Sequence, residues 1–440
     1  MLEIQVYGEA LLIVALFEDT DYTNLLPLVY AHPVFELKTG MKTLFERIEG
    51  YFKGFRKALF VREYLADYVK TRYECPVNES DVIDEDTLFL NGSLVMDETS
   101  YRVISSKVSK SVAAIANGKL LAFRLPERDA RELIGKFIGK PWSSSLIKDF
   151  SLKKVELTSI STVEYPWDLV SMNQRLLKKD FQDLGLGGVR EGYLDPKAVV
   201  YGREENLYLG KNSMVESYVV IDVRSGPIYI GEDVEIHSHS RISGPAYIGR
   251  ETRVYSALIR EGTTIGPVCR VGGEVSETIF HGFDNKYHSG YIGHSYLCEW
   301  VNIGAGTVVS DLKNTYGTVK VRFGDRKVDT ELMKVGCFIA DHSKLSIGTK
   351  VYSGKKIGFF SQVHGFVTED VPSFTIWAKS LGVKPVELLL DSAIETERRV
   401  YRRRGVEQTD IDVDLLKSIY RLTVEERRKA GVVREKFKLY

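Results

Sequence analysis

The sequence predicts three regions in order: an α/β domain, a left-handed parallel β-helix and a helical tail. Aliphatic residues recur every six positions through the middle of the chain. Short apolar runs alternate with helix-period stretches before it, and charged segments with apolar residues at helical spacing follow it. The boundaries read as 1–164 for the α/β domain, 165–190 for a joining helix, 191–370 for the coil and 371–440 for the tail.

The repeat is the strongest signal. Ile230, Ile236, Ile242, Ile248 and Val254 stand six apart, and after a one-residue slip the phase resumes at Ile259, Ile265 and Val271. It returns at Ile339, Leu345, Val351, Ile357 and Val363. A period of six fits neither a helix nor a flat strand. It fits a coil with three short sides, each turning one aliphatic side chain inward, so that stacked coils share a continuous core. A sandwich of short strands is the alternative, and the register holds too long for it. Gly, Asn and Asp are expected at the corners. Two stretches break the phase, about 274–290 and 310–334, and are expected to leave the coil as loops lining a site.

The first domain shows apolar runs at Leu11–Phe17, Leu59–Val61, Thr87–Leu90, Ser111–Ile115 and Leu120–Phe123, with a helical stretch at Lys42–Phe52. They predict a partly parallel sheet. Pro166 and Asp168, followed by Leu169, Met172, Leu176 and Leu177, predict an amphipathic helix joining the domains. The tail, with Leu388, Leu389, Ile394, Leu415, Leu416 and Ile419, predicts helices packed on a neighbour with solvated charges outside.

Composition narrows the function classes. Lys plus Arg and Asp plus Glu are both 60, so net charge gives no general attraction for nucleic acid. The apolar stretch Ala10–Phe17 is too short to cross a bilayer and lacks a basic leader; it reads as a buried strand. Cys75, Cys269, Cys298 and Cys337 are widely spaced, which fits a reducing cytoplasm better than a disulfide framework.

Four segments carry a resemblance to a known family: Leu25–Pro33; Pro166-Trp-Asp-Leu; the group Val271-Gly-Gly-Glu-Val, Asn285-Lys-Tyr-His288, Tyr291-Ile-Gly and Asn302-Ile-Gly-Ala-Gly-Thr307; and Val371-Pro-Ser-Phe-Thr with Glu397–Arg404. With them the chain resembles the hexapeptide-repeat sugar nucleotidyltransferase/acetyltransferases, notably the bifunctional N-acetylglucosamine-1-phosphate uridylyltransferase/glucosamine-1-phosphate acetyltransferases of the bacteroidete and archaeal type. The resemblance implies a Rossmann-like nucleotidyltransferase fold ahead of the coil, acetyl-CoA as acyl donor, an amino-sugar phosphate as acceptor, a place in sugar-nucleotide biosynthesis and a homotrimer. It gives His288 the role of general base, Tyr291 that of holding the sugar or its phosphate, and Asn302 that of orienting the amino-sugar. Ala305 would meet the thioester, with Ala340 and Lys344 along the coenzyme.

Acyl transfer to an amine needs a base for its proton and donors for the oxyanion. Histidine suits the first, with an ordinary pKa near 6.5. Charge alone nominates Arg270 and Lys286 for phosphate. The family has Asn where this chain has Asp311, and Asn314 is placed to compensate. A structural His288 is one competing reading. Another is zinc held by His237, His239, His281, His288 or His294, as in the γ-type carbonic anhydrases that the coil loosely resembles; no spacing among them is convincing.

Nucleotidyl transfer needs a glycine-rich anion loop, cations and carboxylates for Mg²⁺. Relatives carry G-x-G-[ST]-R, Pro-Lys-Pro and an Asp after Asn-Gly. Here Val6–Ala10 has no such loop, His32-Pro33 replaces Lys-Pro, and Asn91-Gly92 leads to Ser93. Weak or absent nucleotidyl transfer is expected, with Mg²⁺ required only if that domain is active. Two further readings are a nucleotidyltransferase whose coil only oligomerises, and a non-catalytic sugar-nucleotide-binding scaffold.

Overall fold

The computed structural model describes residues 12–158 and 160–438. Two compact units divide at Glu164/Tyr165, with the short stretch Lys38–Met41 belonging to the second. The segment Val6–Ala10 lies outside the described residues.

The first unit is built on a six-stranded sheet of β1 (Ile13–Phe17), β2 (Arg56–Phe60), β3 (Thr87–Asn91), β4 (Val112–Ala116), β5 (Lys119–Leu125) and β6 (Lys153–Glu156), ordered β2-β1-β3-β5-β4-β6. β1 pairs parallel with both neighbours, β5 runs antiparallel to β3 and β4, and β6 is parallel to β4. β1 is wholly buried, as an apolar central strand must be. Phe17 stacks on Trp142 at 4.7 Å and Phe89 on Phe123 at 4.8 Å, filling one face. Helix α1 (Leu44–Tyr51) begins at a Thr43/Glu46 capping box.

In the second unit, residues 193–377 wind into a left-handed β-solenoid of about ten turns. Its three faces are parallel ladders. Face 1 turns Leu209, Ile230, Ile248, Ile265, Phe280, Leu297, Ile339 and Ile357 inward in register. The aliphatic series read from the sequence visits faces 1, 2 and 3 in turn: Ile230, Ile236 and Ile242 lie on successive faces, and all are buried. Each such side chain contributes roughly 1.5–3 kcal/mol by leaving water.

The stretch 274–290 does not leave the coil. Phe280, Lys286 and Ile292 keep the six-residue step and lie on faces 1, 2 and 3. The phase looked broken because Lys286 and Phe280 fill slots that are aliphatic elsewhere. The second break is a true loop: residues 310–336 leave the coil, form the hairpin Lys320–Phe323/Arg326–Asp329 and return through the Leu312–Lys334 bridge.

Helix α4 (Pro166–Leu184) begins where the two units divide and packs on the coil: Leu177 and Phe181 lie on Tyr208, first of the stacked column Tyr208–Tyr229–Tyr247 on the outside of face 1. One further expectation needs correction. The corner from face 1 to face 2 is made not by Gly, Asn or Asp alone. Val268, Phe283, Trp300, His342 and Phe360 all take positive φ there. Each costs about 1–2 kcal/mol, offset by aromatic packing such as Phe283 on Trp300 at 4.3 Å.

The coil ends at Thr375–Trp377, which pairs antiparallel with the strand Val386–Glu387, and the tail forms α5 (Leu390–Arg402), α6 (Asp410–Leu422) and α7 (Val424–Lys429). Not all its charges are solvated. Arg427 is buried, with Nε 3.1 Å from Glu387 and Nη1 donating to Thr423 at 2.8 Å. Buried Glu397 lies 3.3 Å from His342 Nε2, and Tyr401 packs on Trp300 at 4.6 Å, so α5 lies along the aromatic corner.

Candidate functional site

The predicted residues lie on four consecutive coils, with Asn314 on the loop. Tyr287, His288 and Ser289 turn the corner between Asn285–Lys286 on face 2 and Gly290–Gly293 on face 3. Beneath the corner, Lys286 points into the core and its ammonium donates to the carbonyls of Gly272 (2.6 Å), His288 (3.3 Å) and Gly290 (3.1 Å). Burial pushes this ammonium down to about 8. Gly306 N–H donates to Ser289 O at 2.9 Å, tying the corner to the next coil. The backbone around His288 is thus held from inside and from above.

The His288 ring is exposed and stands edge-on to Tyr287 at 4.8 Å. The other histidines are engaged differently. His32, His237, His281, His294 and His342 sit against carboxylates, while His239 and His364 lie parallel to Tyr218 and Phe437. Among the described residues no group of three or more His, Cys, Asp or Glu is arranged to hold a metal.

On the outside of face 2, Arg270, Asn285, Asn302 and Lys344 succeed one another in register, one per coil. Asn285 Nδ2 donates to Asn302 Oδ1 at 2.8 Å. Arg270 Nη1 donates to the carbonyls of Glu251 (2.9 Å), Val268 (3.3 Å) and Cys269 (2.9 Å). Lys344 spends its ammonium on Trp300 O and His342 O, at 2.8 and 2.9 Å, and burial pushes it down to about 8.

Several site expectations change with these positions. Lys286 lies inside the coil and holds its corner, so its charge does not face a phosphate. Ala340 is fully buried and its N–H is taken by Ile357 O at 2.9 Å, which leaves nothing to offer a coenzyme. Ala305 is half-buried at the next corner, its carbonyl held by Gly348 N–H at 2.8 Å. Asn314 is exposed on the loop, while the Asp311 carboxylate is satisfied from the coil.

That carboxylate centres a network the sequence did not disclose. Asp311 Oδ2 accepts from Tyr291 OH and His294 Nδ1, both at 2.7 Å, and His294 Nε2 lies 3.2 Å from Glu277. Burial disfavours the His294 cation, but the two carboxylates outweigh it and hold it up at about 9. Burial and the Asp311 contact push the Tyr291 phenol upward, so Tyr291 is a fixed donor to Asp311. Residues 277, 294 and 311 are far apart in sequence, and only the coil repeat and the loop at 310 bring them together.

In the first unit, the carboxyl ends of β1, β2 and β3 mark the crevice where such sheets bind ligands. The segment after β1 is Glu18–Leu25, acidic where an anion-binding loop would stand. Glu18 is buried and accepts from Arg62 Nε and Nη2, each at 3.1 Å, and from Val34 N–H at 2.9 Å. Burial pushes the Asp19 carboxyl up, and it receives Asn91 Nδ2 at 2.7 Å with Lys119 at 3.4 Å. Asn91 Oδ1 also accepts from Ser93, making Asn91-Gly92-Ser93 a side-chain-closed turn. His32 is buried against Glu36 at 2.7 Å. Arg62 is already paired with a protein carboxylate, and Glu18, Asp19 and Glu36 all have partners. These residues do not fit a Mg²⁺–nucleotide site.

An α/β sheet followed by a left-handed β-solenoid is the class that the fold defines. Residues 14–187 match the family described as sugar nucleotidyl transferase. Parts of the chain are similar to relatives named as bifunctional. It is 34% identical over 164 residues to the bifunctional sugar-1-phosphate nucleotidylyltransferase/acetyltransferase of Sulfurisphaera tokodaii, spanning 36% of this chain and 40% of that one. It is 23% identical over 313 residues to the bifunctional protein GlmU of Thermotoga sp. strain RQ2, 65% of each chain, and 21% identical to that of Methanocaldococcus jannaschii over 71% of this chain and 78% of that one. The first two alignments thus span less than two thirds of those relatives. Among solved structures, the UDP-N-acetylglucosamine acyltransferase of Francisella novicida aligns over 54% of this chain and 77% of its own, at 16% identity and a TM-score of 0.31. No described helix is long and apolar enough to cross a membrane.

Proposed function

We propose that the coil transfers an acyl group, acetyl in the first instance, from acyl-CoA to the amine of an amino-sugar phosphate. One observation carries the reading: His288 presents an exposed ring, without a carboxylate partner among the described residues, on a corner whose backbone is pinned by Lys286 and Gly306. The relatives named as acetyltransferases support it. His288 takes the proton from the attacking amine as nitrogen bonds to the thioester carbonyl, and the collapsing intermediate expels the CoA thiolate. Asn302 and Asn285, one coil apart on face 2, offer a paired amide edge to a polar acceptor. Tyr291 acts through its ring and its position; its hydroxyl is engaged by Asp311. The homotrimer, a cytoplasmic location and a role in UDP-N-acetylglucosamine synthesis belong to the same proposal. The crevice of the first unit favours ligand-free packing over nucleotidyl transfer. Incubation with acetyl-CoA and glucosamine 1-phosphate should release free thiol, and His288→Ala should lower that rate by roughly 10²–10⁴ with folding intact. Pyrophosphate release from a nucleotide and a sugar phosphate with no thiol release from acetyl-CoA and the amino-sugar phosphate would overturn the reading; a monomer by sedimentation would remove the trimer.

A further inference from the structure

The corner that carries His288 is pinned in its backbone by Lys286 and Gly306. What remains to be fixed is the imidazole, which can turn about two side-chain torsions. A histidine base is ordinarily oriented through its second ring nitrogen by a carboxylate or a carbonyl. Among the described residues no hydrogen bond or ion pair reaches the His288 ring; it meets the edge of Tyr287 at 4.8 Å, with the two planes 63° apart.

Tyr287 is the top of a ladder of rings on the outside of the coil, where face 2 ends. His237, Tyr255, Gly272 and Tyr287 directly follow Ile236, Val254, Val271 and Lys286, which pair in register one coil apart. His237 lies 4.7 Å from Tyr255 and only 9° from parallel. Tyr255 meets Tyr287 at 4.1 Å. Coils two apart are separated by about 9.6 Å, so these rings touch only because Gly272 puts no side chain between them and they lean into its gap. A Cβ on Gly272 would also run into the Tyr287 carbonyl.

The foot of the ladder is anchored by charge. His237 Nδ1 lies 2.9 Å from Glu216, one coil earlier, and Nε2 lies 3.6 Å from Glu235. Glu216 is itself fixed, its other oxygen accepting from Ser238 N–H at 2.8 Å and Ser238 Oγ at 2.9 Å. Arg253 holds Glu235 at 3.0 Å. An unbroken line of contacts thus runs from Glu216 through His237, Tyr255 and Tyr287 to His288.

We infer that Tyr287 and Tyr255 are positioning residues for His288: the ladder, braced at His237, holds the imidazole in one orientation, as a carboxylate partner does for other histidine bases. The inference deepens the acyl-transfer reading and rests on it for its effect on rate; the bracing of the ring belongs to the protein with or without substrate. A misplacement of about 1 Å can cost roughly 10² in rate. A loosened base lowers kcat and leaves KM, because the ring does not set ground-state binding.

Selective carbon-13 labelling of the histidine ε1 positions allows the His288 ring to be followed by magnetic relaxation in the full-length protein, without substrate. Wild type should show an ordered ring. Tyr287→Ala should free it, and Tyr255→Ala, one ring removed from His288, should free it in part. Tyr287→Phe and Tyr255→Phe keep both rings and should keep the order. In acyl transfer, Tyr287→Ala should lower kcat about tenfold or more and Tyr255→Ala about threefold, with KM little changed and the double variant no worse than Tyr287→Ala alone. An unchanged ring in Tyr255→Ala, or a fall in kcat with the ring still ordered, would overturn the bracing. Equal losses in the Phe and Ala variants would overturn it too, because the hydroxyls and not the rings would then matter. A ring that loosens in Tyr255→Ala while wild type transfers no acyl group would sink the proposed function and leave the bracing standing. Transfer that requires His288 yet ignores both tyrosines would do the reverse.

Discussion

Lys286 occupies the inward position that Val271 holds one coil earlier, so an ammonium sits in a column of aliphatic side chains. Its three carbonyl partners explain why the slot accepts it. Lys286→Met keeps the chain length but leaves the Gly272, His288 and Gly290 carbonyls without that donor. Buried unsatisfied groups cost about 1–3 kcal/mol each, discounted here because the corner can relax towards water. A loss of about 2–4 kcal/mol in urea unfolding is expected. Acyl transfer should fall through kcat with little change in KM, because the corner carrying His288 loses its internal tether. A Lys286→Met protein as stable as wild type would show that the ammonium does not hold the corner.

The same residue shows how far the sequence could be read. The six-residue step located the coil because Ile and Val mark its inward slots. It failed at 280–292, where phenylalanine and lysine satisfy the same geometry with chemistry the pattern does not count. Family resemblance nominated His288, Tyr291 and Asn302, and they lie on adjoining coils. It did not nominate His294 or Glu277. Their contacts depend on register between coils and on the loop that delivers Asp311. Local spacing holds no trace of such long-range proximity.

The His294 network should appear in the pH dependence of stability. Its folded value of about 9 lies above the ordinary 6.5. Its contribution is therefore fully present below pH 6.5 and lost as pH rises through 9. Asp311 and Glu277 are held below their usual range, so their contribution is present above the ordinary carboxylate values and lost as pH falls through the lowered ones. Stability should be greatest between about pH 5 and 6.5. Because Glu277 is partly exposed, the loss towards pH 9 should be about 2 kcal/mol, less than the full shift implies. Asp311→Asn should flatten that alkaline limb in unfolding curves taken at several pH values. An unchanged alkaline slope in Asp311→Asn would contradict the assignment.

Glu397 sets a second dependence in the tail, which also lowers stability as pH rises. Burial pushes its carboxyl up to about 8, with Gln408 Nε2 donating at 2.6 Å and His342 nearby. A carboxyl whose folded value is raised destabilises as pH climbs from about 4.5 to 8, because the unfolded chain ionises first. Glu397→Gln removes that titration. Hydrogen exchange in Leu390–Arg402 of wild type should rise over this range, after correction for intrinsic exchange, and should rise less in the variant. Equal pH responses would show that Glu397 does not govern docking of α5.

Glu18 and Arg62 make the sharpest test of whether the first unit has exchanged phosphate binding for packing. Arg62 donates to both Glu18 oxygens and to His32 O at 2.7 Å, and Tyr64 OH lies 2.7 Å from its Nη1. Removing one member of a buried pair strands the other and costs about 3–5 kcal/mol. Glu18→Gln should therefore destabilise the first unit, read as faster hydrogen exchange in Ile13–Phe17 while the inner strands of the coil keep their protection. Inorganic pyrophosphate should then restore part of that protection in Glu18→Gln and not in wild type, because the vacated guanidinium accepts the anion. If pyrophosphate protects wild-type Ile13–Phe17 equally well, the crevice binds phosphate without displacing Glu18, and the argument against nucleotidyl transfer in this unit fails with it.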